Sequence, residues 1–315
     1  MPNGPDFASD ALHGPRRVKF TSSCLPMPCR IWAIAILRVA RYEQSLNSSA
    51  EMVSRMPTST DHRPRTIAVV DGWPVNIANH KDAILHITQA AKRHEGFAVF
   101  TLNLDHLVKL RRSSEFRDAY SNARFVTADG APVAKLASLQ NACIERTTGA
   151  DLVEPLAEAA AQEGLPIYLF GTTDDVLSSA QLHLSRLTGF TLEISGAASP
   201  DREFDPRSPA ADAALDRIAA SGARLCFVAL GAPKQELLAA RAVERGINVG
   251  FICIGAGLDF LAGAQTRAPG FMQRSGLEWF WRLATNPRRL TGRYASCAVV
   301  LAEIVFKSLF KQRTA

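Results

Sequence analysis

Short apolar runs alternate with amphipathic segments from Thr66 to Gly257. The apolar runs predict strands, and they read TIAVV, FAVFTLN, RFVTA, PIYLFG, TLEISG, RLCFVALG and VGFICIGAG. Between them, apolar residues recur at helical spacing, as at Ala83, Ile87 and Ala91. Buried strands that alternate with amphipathic helices are typical of a parallel sheet that is covered on both faces. The pattern therefore predicts a doubly wound, mostly parallel, Rossmann-like α/β fold.

The same pattern divides the chain into three parts. Residues 1–65 show little sustained periodicity, and we predict that they form a poorly ordered N-terminal extension. We predict that residues 66–264 form the α/β domain and that residues 265–315 form a basic, aromatic helical appendage that associates with a membrane. Within the appendage, Asn286 and Pro287 are a good N-cap and first helical residue, so a helix is predicted to begin there.

Polar residues follow directly after four of the predicted strands. They are Thr101 with Asn103, Asp129 with Gly130, the run from Gly231 to Glu236, and the run from Gly255 to Asp259. In open α/β sheets, ligands bind at the carboxyl ends of the strands, where these loops gather. We therefore expect the four loops to converge on one pocket.

Positive charge is concentrated at the C-terminal end of the chain. The 36 Lys and Arg residues and 30 Asp and Glu residues give a formal net charge of +6. After Gln265 the acidic residues are Glu278 and Glu303, whereas the basic residues are Arg267, Arg274, Arg282, Arg288, Arg289, Arg293, Lys307, Lys311 and Arg313. This bias suits anionic substrates or an anionic membrane surface. Because no reader motif accompanies it, we expect no nucleic-acid partner.

Several other classes of function are not expected. The six cysteines lack the two-residue spacing of zinc or redox motifs, so we predict reduced thiols, no metal site and a cytoplasmic protein. In IGAGLDFLAG, Phe260 stands where a dinucleotide fingerprint needs its third glycine, so we predict neither NAD nor another cofactor. The apolar run from Ile31 to Leu37 is shorter than the roughly 20 residues that span a bilayer.

Three polar runs allow both a structural and a functional interpretation. Asp129 suits a turn, but a carboxylate at a strand end is also where a general base would lie. Lys234 and Gln235 stand in the first turn of a predicted helix, where they could be solvated. Because a lysine in the first turn is unfavourable for the helix dipole, its presence there favours a role in holding an anion or a sugar hydroxyl. Arg146 and Asp151 could form a structural ion pair, or the arginine could contact a phosphate.

The arginines of the appendage carry a similar ambiguity. Arg282, Arg289 and Arg293 stand among tryptophan, phenylalanine and tyrosine residues. They could form the solvated face of a packing helix. Alternatively, they could bind a diphosphate at an anionic leaflet.

In their order along the chain, these motifs resemble those of the WecG/TagA/CpsF family of bacterial glycosyltransferases. The matching runs are TLN from Thr101, ADG from Ala128, RTTGAD from Arg146, GAPKQE from Gly231, GLDFLAG from Gly257, RAP from Arg267 and GLEWFWRLATNPRR from Gly276. The chain departs from the family pattern before Thr66. It also departs at Leu237 and Leu238, where family members commonly carry an aromatic residue.

The resemblance implies inverting, metal-independent transfer of a sugar from a UDP-sugar to a polyprenyl-diphosphate-linked saccharide. It places this reaction in bacterial exopolysaccharide or surface polysaccharide biosynthesis, with the enzyme peripheral on the inner face of the plasma membrane. The sequence contains no Asp-x-Asp motif. The resemblance leaves an N-acetylmannosamine-type sugar, glucose and glucuronic acid as alternative donors. It also leaves open whether the protein forms a homo-oligomer. The alternative is a non-catalytic nucleotide-binding component of a polysaccharide assembly complex.

The resemblance also implies roles for individual residues. Asp129 becomes the candidate general base, which removes the proton of the acceptor hydroxyl. The candidate substrate-binding residues are Thr101, Asn103, Gly130, Arg146, Gly231, Lys234, Gln235, Glu236 and Asp259. The candidate diphosphate-binding residues are Arg282, Arg289 and Arg293.

Overall fold

The structure is a computed structural model that describes residues 63–285 and 287–311. Within these ranges, the side chains of Gln273, Arg274, Arg289 and residues 308–311 are outside the description. Nearly all of the predicted N-terminal extension, residues 1–62, also lies outside the described residues, as does Asn286.

A short antiparallel hairpin precedes the main sheet. Its strands are β1 (Ala68–Val70) and β2 (Trp73–Val75). Asp71 and Gly72 join them, and both have positive φ, at 51° and 85°. Asp-Gly is a preferred sequence for a two-residue hairpin turn, because such a turn needs positive φ at both positions. The apolar pattern predicted only the first of these strands.

The main sheet has six parallel strands, in the spatial order β4, β3, β8, β7, β5, β6. The strands are β3 (Phe97–Leu102), β4 (Phe125–Ala128), β5 (Ile167–Gly171), β6 (Ile194–Ala198), β7 (Leu225–Ala229) and β8 (Gly250–Cys253). Because every strand runs in the same direction, all six carboxyl ends meet at one edge. The predicted doubly wound, parallel α/β fold is confirmed.

Helices follow the strands in alternation. They are α1 (His80–Lys92), α2 (Leu104–Arg112), α3 (Ser114–Ser121), α4 (Ala131–Ser138), α5 (Gly149–Glu163), α6 (Asp174–Leu187), α7 (Pro209–Ala220), α8 (Lys234–Glu244), α9 (Gly257–Leu261), α10 (Gly270–Arg274), α11 (Glu278–Thr285) and α12 (Pro287–Lys311). Helices α1, α5, α6 and α9 cover one face of the sheet, and α2, α3, α4, α7 and α8 cover the other.

The core lies on both faces of the sheet because successive strand residues point in opposite directions. In β7, Leu225 and Phe227 pack in the cluster with α1, α5 and α6, whereas Cys226 and Val228 pack in the cluster with α2, α3 and α8. All four side chains are fully buried. Cys226 and Cys253, which lie within apolar runs, are buried free thiols.

Two predicted boundaries were wrong. The segment LDHLVKLRRSSEFRDAYSNA, which the apolar spacing predicts as one helix, is two helices, because Ser113 ends α2 and its hydroxyl caps α3 by accepting from the Phe116 amide at 3.1 Å. The strand expected to start at Thr191 starts at Ile194. Thr191 still belongs to the turn after α6, where its hydroxyl donates to the Thr188 carbonyl oxygen at 2.7 Å.

The C-terminal helix α12 begins at Pro287, as predicted, and packs along α2. One side of α12 buries Cys297, Val300 and Ile304 in the core. Glu303 reaches Arg111 of α2, with Oε2 at 2.6 Å from Nη1. Across the residues that the structure describes, no helix combines the length and apolar character needed to cross a bilayer.

Gly149 allows α5 to start directly against the end of β8. A Cβ at this position would lie 2.6 Å from the carbonyl oxygen of Cys253 and 2.8 Å from the Cα of Ile254. Both neighbours are backbone atoms at the end of the central strand β8, so they have little freedom to move away. The glycine in the RTTGAD run therefore has a packing role.

We expect Gly149→Ala to lower the free energy of unfolding by about 1–3 kcal/mol, since overpacking displaces the helix from the strand. The matched control is Gly292→Ala in α12, where a Cβ meets no atom within 4 Å. This change should leave stability unchanged or raise it by up to about 1 kcal/mol, because alanine favours a helix interior. Urea unfolding of both variants measures the difference, and equal effects would contradict the packing role.

Candidate active site

Asp129 follows β4, at the edge where the carboxyl ends of the strands meet. Its backbone amide donates to the Leu102 carbonyl oxygen at 2.8 Å, which extends the pairing of β3 and β4 by one residue. Gly130 then turns the chain into α4 with a φ of 75°, a conformation that favours glycine. The ADG run therefore combines the turn that was expected with a carboxylate held at the ligand edge.

Asn103 lies beside this carboxylate, at the end of β3. Its side-chain oxygen caps α2 by accepting from the His106 amide at 3.0 Å. Its side-chain nitrogen is then directed to Asp129, with Nδ2 at 3.4 Å from Oδ2. Because the cap fixes the orientation of the amide, Asn103 is held as a hydrogen-bond donor to Asp129. Thr101, two residues earlier, is buried within β3 and paired in register with Thr127.

Burial raises the pKa of the half-buried Asp129 carboxyl to about 6. The positive charges of Arg282 and Arg146 and the hydrogen bond from Asn103 act in the opposite direction, whereas the negative charge of Glu278 adds to the rise. These four residues therefore form the electrostatic surroundings of Asp129. A carboxyl with a pKa near 6 suits acid and base chemistry at neutral pH.

Arg146 and Asp151 form an ion pair at the start of α5. Arg146 Nη2 lies 3.6 Å from Asp151 Oδ2, and Asp151 also pairs with His80 and with Arg267. Burial alone would raise the pKa of Asp151, but the contacts with His80 and Arg267 hold it well below its ordinary value. Asp151 is therefore a charged anchor within the protein, and the structural ion pair that the sequence left open is present.

Glu278 and Arg282 reach this cluster from α11 of the C-terminal segment. Arg282 Nη2 donates to Glu278 Oε1 at 2.8 Å, and Glu278 Oε2 lies 3.6 Å from Arg146 Nη1. The Arg282 guanidinium also lies over the Phe260 ring, 5.7 Å from its centroid. The structure thus joins a predicted diphosphate-binding residue, Arg282, to the surroundings of Asp129.

The other two arginines of that prediction are placed differently. Arg293 forms an ion pair with Asp105 in the first turn of α2, at 2.7 Å. It lines a groove of about 440 Å³ with Lys109 and Arg112. The side chain of Arg289 lies outside the described residues.

The GAPKQE run links two loops at the edge of the sheet. Gly231 turns the chain with a φ of 72°, and Lys234 Nζ is directed to the Arg202 carbonyl oxygen at 3.4 Å. Gln235 is only 3% exposed, and its side-chain oxygen accepts from the Gly255 amide at 3.1 Å. Gln235 therefore ties the loop after β7 to the loop after β8.

Glu236 lies in a buried polar cluster beneath these loops. Its Oε1 accepts from Gln235 Nε2 at 2.7 Å and lies 3.6 Å from His106 Nε2, while His106 Nδ1 is 2.6 Å from the Tyr120 hydroxyl. Burial raises the pKa of Glu236 to about 7 and lowers that of His106 to about 3. His106 and Tyr120 were not predicted from the sequence, where the one available signal was a histidine on the apolar side of α2.

Asp259 is placed at the same edge of the sheet by α9. Its Oδ1 accepts from the Thr172 hydroxyl at 3.2 Å, and the Thr172 carbonyl oxygen accepts from the Ser199 hydroxyl at 2.7 Å. The loops after β5 and β6 are therefore connected to α9. Thr172 and Ser199 were not identified from the sequence. Within residues 63–285 and 287–311, no three His, Cys, Asp or Glu side chains are grouped so that they could hold a metal ion.

We expect Glu236→Gln to change the pH dependence of stability. The folded pKa of about 7 lies above the ordinary value of 4.5, so the contribution of Glu236 is complete below about pH 4.5 and is lost as the pH rises through 7. Relative to the variant, the wild type should lose on the order of 1–3 kcal/mol of unfolding free energy between pH 5 and 8. Urea unfolding across this range measures the loss.

The lowered pKa of His106 makes the unfolding free energy rise with pH in both the wild type and the variant. The difference between the two proteins therefore reports on Glu236. Glu163→Gln, at an exposed ion pair with Lys92, is the matched control and should differ from the wild type by less than about 0.5 kcal/mol at every pH. A difference for Glu236→Gln that does not vary with pH would contradict the prediction.

Comparison with models of protein families supports the resemblance seen in the motifs. Residues 68–315 match the family described as "Glycosyl transferase WecG/TagA/CpsF family". The match begins at the first residue of β1, and it includes the loops that carry Asn103, Asp129 and Gln235 as well as the C-terminal helices. It therefore spans the whole site described above. The chain belongs to the WecG/TagA/CpsF family of glycosyltransferases.

Proposed function

We propose that this protein is an inverting glycosyltransferase that moves a sugar from a UDP-sugar to a polyprenyl-diphosphate-linked saccharide, with Asp129 as the general base. The observation that carries the proposal is the surroundings of the Asp129 carboxyl. A carboxyl with a pKa near 6 lies under the influence of two cations, Arg146 and Arg282. This arrangement suits a reaction that removes a proton from one oxygen and releases a negatively charged diphosphate.

In the proposed reaction, an acceptor hydroxyl attacks the anomeric carbon of the donor sugar while Asp129 takes the hydroxyl proton. The new bond forms from the hydroxyl oxygen as the bond between the anomeric carbon and the diphosphate oxygen breaks. UDP leaves with that electron pair. A single displacement, with base and leaving group on opposite faces of the sugar, inverts the anomeric configuration. The raised pKa makes the Asp129 carboxylate a stronger base than an ordinary one.

Asn103 and the two arginines have supporting roles in this proposal. Asn103 donates to Asp129 Oδ2, which leaves the second oxygen of the carboxylate for the acceptor hydroxyl. Arg146 and Arg282 neutralise the charge that builds up on the diphosphate as it leaves, the task that a divalent metal ion performs in other enzymes. On this basis we propose a metal-independent reaction.

The other candidate contacts remain proposals. They are Thr101, Gly130, Gly231, Lys234, Gln235, Glu236, Asp259, Arg289 and Arg293. Lys234 and Asp259 keep exposed surface at the carboxyl edge of the sheet, so we assign them to substrate. Gln235 and Glu236 are buried beneath that edge, so we assign them to holding the loops in place.

We also propose that the protein works on the inner face of the bacterial plasma membrane. In the C-terminal segment, Trp279, Phe280, Val299 and Val305 are exposed large apolar side chains. They share this segment with exposed basic residues, among them Arg288. Apolar and basic groups together favour the surface of an anionic leaflet, where a lipid-linked acceptor is found.

We expect Asp129→Asn to lower acceptor-dependent UDP release by at least about 100-fold, because asparagine cannot accept the proton. The assay offers a panel of UDP-sugars and a synthetic prenyl-diphosphate sugar, in the presence of EDTA. Asp118→Asn, on the exposed side of α3, is the matched control and should retain wild-type turnover. The UDP-sugar that gives the fastest turnover in the panel identifies the donor sugar at the same time.

Three results would contradict parts of this proposal. Unchanged turnover in Asp129→Asn would show that another group is the base. Turnover abolished by EDTA and restored by a divalent cation would show that the reaction needs a metal ion. Intact cellular polysaccharide output in an Asp129→Asn strain would favour the non-catalytic nucleotide-binding component.

A further inference from the structure

One carboxylate in the site is shared between two arginines from different parts of the chain. Glu278 is the first residue of α11 in the C-terminal segment. Its Oε1 accepts from Arg282 Nη2 at 2.8 Å, and its Oε2 lies 3.6 Å from Arg146 Nη1. Each oxygen of Glu278 therefore holds a different guanidinium group.

Glu278, Arg146 and Arg282 all act on the same proposed base, Asp129. Arg146 and Arg282 lower the pKa of Asp129, and Glu278 raises it. The hydrogen bond from Asn103 also lowers the pKa of Asp129. Glu278 thus acts electrostatically on Asp129 from its place between two cations. That is also where the proposed reaction needs a bound diphosphate.

The contacts of Glu278 resemble those that a diphosphate would make. Guanidinium groups bind carboxylate and phosphate oxygens with the same donor geometry. The two carboxylate oxygens of Glu278 face two separate arginines. Oxygens of the adjacent phosphoryl groups of a diphosphate bridge two arginines in the same way. Neither ion pair is fully enclosed, since the side chains of Glu278, Arg146 and Arg282 are 18%, 25% and 47% exposed. An incoming anion can therefore reach them.

We propose that Glu278 is an internal substitute for the substrate diphosphate: it holds Arg146 and Arg282 in the ligand-free protein and yields both guanidinium groups when the diphosphate binds. The inference rests on the proposed function for the identity of the diphosphate. Glu278 keeps the two arginines oriented and keeps their charges compensated while the site is empty. Once the diphosphate is bound, the nearby carboxylate repels it, which weakens binding and speeds the release of UDP.

A bracing role is the competing explanation. In that case Glu278 would stay paired with Arg282 while the nucleotide is bound, and it would hold the arginine in position for the phosphate. The two roles predict opposite effects of removing the charge. Loss of a competitor tightens diphosphate binding, whereas loss of a brace weakens it.

The experiment measures UDP affinity by isothermal titration calorimetry for the wild type, Glu278→Gln and Glu303→Gln. Glu303 forms an ion pair with Arg111 elsewhere on α12, so its variant makes the same change in net charge outside the site. We expect Glu278→Gln to bind UDP about three- to tenfold more tightly, the range set by partly exposed ion pairs. Glu303→Gln should stay within about twofold of the wild type.

A second readout separates competition from a general effect on the fold. Removing the negative charge of Glu278 should lower the pKa of Asp129, so the acid limb of kcat/KM should move to lower pH in Glu278→Gln. Glu303→Gln should leave that limb in place. Glu278→Ala repeats the binding measurement if the glutamine variant unfolds, as judged by its thermal melting.

Inorganic pyrophosphate keeps the test independent of the proposed substrate. If the wild type does not bind UDP but pyrophosphate binds more tightly to Glu278→Gln, the inference stands and the nucleotide assignment fails. Unchanged or weaker binding of both probes to Glu278→Gln would overturn the inference, even if sugar transfer is confirmed. The absence of pyrophosphate binding in every variant would overturn it as well.

Discussion

Parallel pairing of β3 with β4 on one side and with β8 on the other is the constraint on which the site depends. The register places Leu102 beside Ala128, so the chain leaves both strands at the same level. The next residues outward are Asn103 and Asp129, whose amide and carboxyl groups lie 3.4 Å apart. Because both faces of the sheet are covered by helices, the polar side chains that follow the strands collect at this edge.

A buried polar layer holds the loops of this edge together. Gln235 bonds to the Gly255 amide and to Glu236, and Glu236 lies beside His106. Buried polar groups cost free energy unless they are paired, and a buried charge costs more. Burial therefore keeps a proton on Glu236 up to about pH 7 and keeps His106 uncharged above about pH 3. Asp129, at the edge, is the carboxyl that ionises more readily.

Much of the fold followed from apolar periodicity, because strands buried on both faces must be apolar throughout. The rule that ligands bind at the carboxyl ends of parallel strands then identified Asn103, Asp129 and the GAPKQE run. Contacts between residues that are far apart in the chain left no comparable signal in the sequence. Glu278 stood out only as an acidic residue in a basic segment, and its approach to Arg146 depends on how the C-terminal segment packs. The hairpin turn at Asp71 and Gly72 did carry a local signal, which the periodicity analysis missed.

The C-terminal segment reaches the sheet edge through Glu278 and Arg146, and Arg282 and Glu278 act on the ionisation of Asp129. Burial raises its pKa to about 6 against the pull of Arg282 and Arg146. The most direct test of Asp129 as the base is the pH dependence of kcat/KM for sugar transfer, because the acid limb reports the essential base of the free enzyme. The account predicts a limb with an apparent pKa near 6, below which the rate falls about tenfold for each pH unit. A limb near pH 4, where an ordinary exposed aspartate titrates, or a rate that does not change between pH 5 and 8, would contradict it.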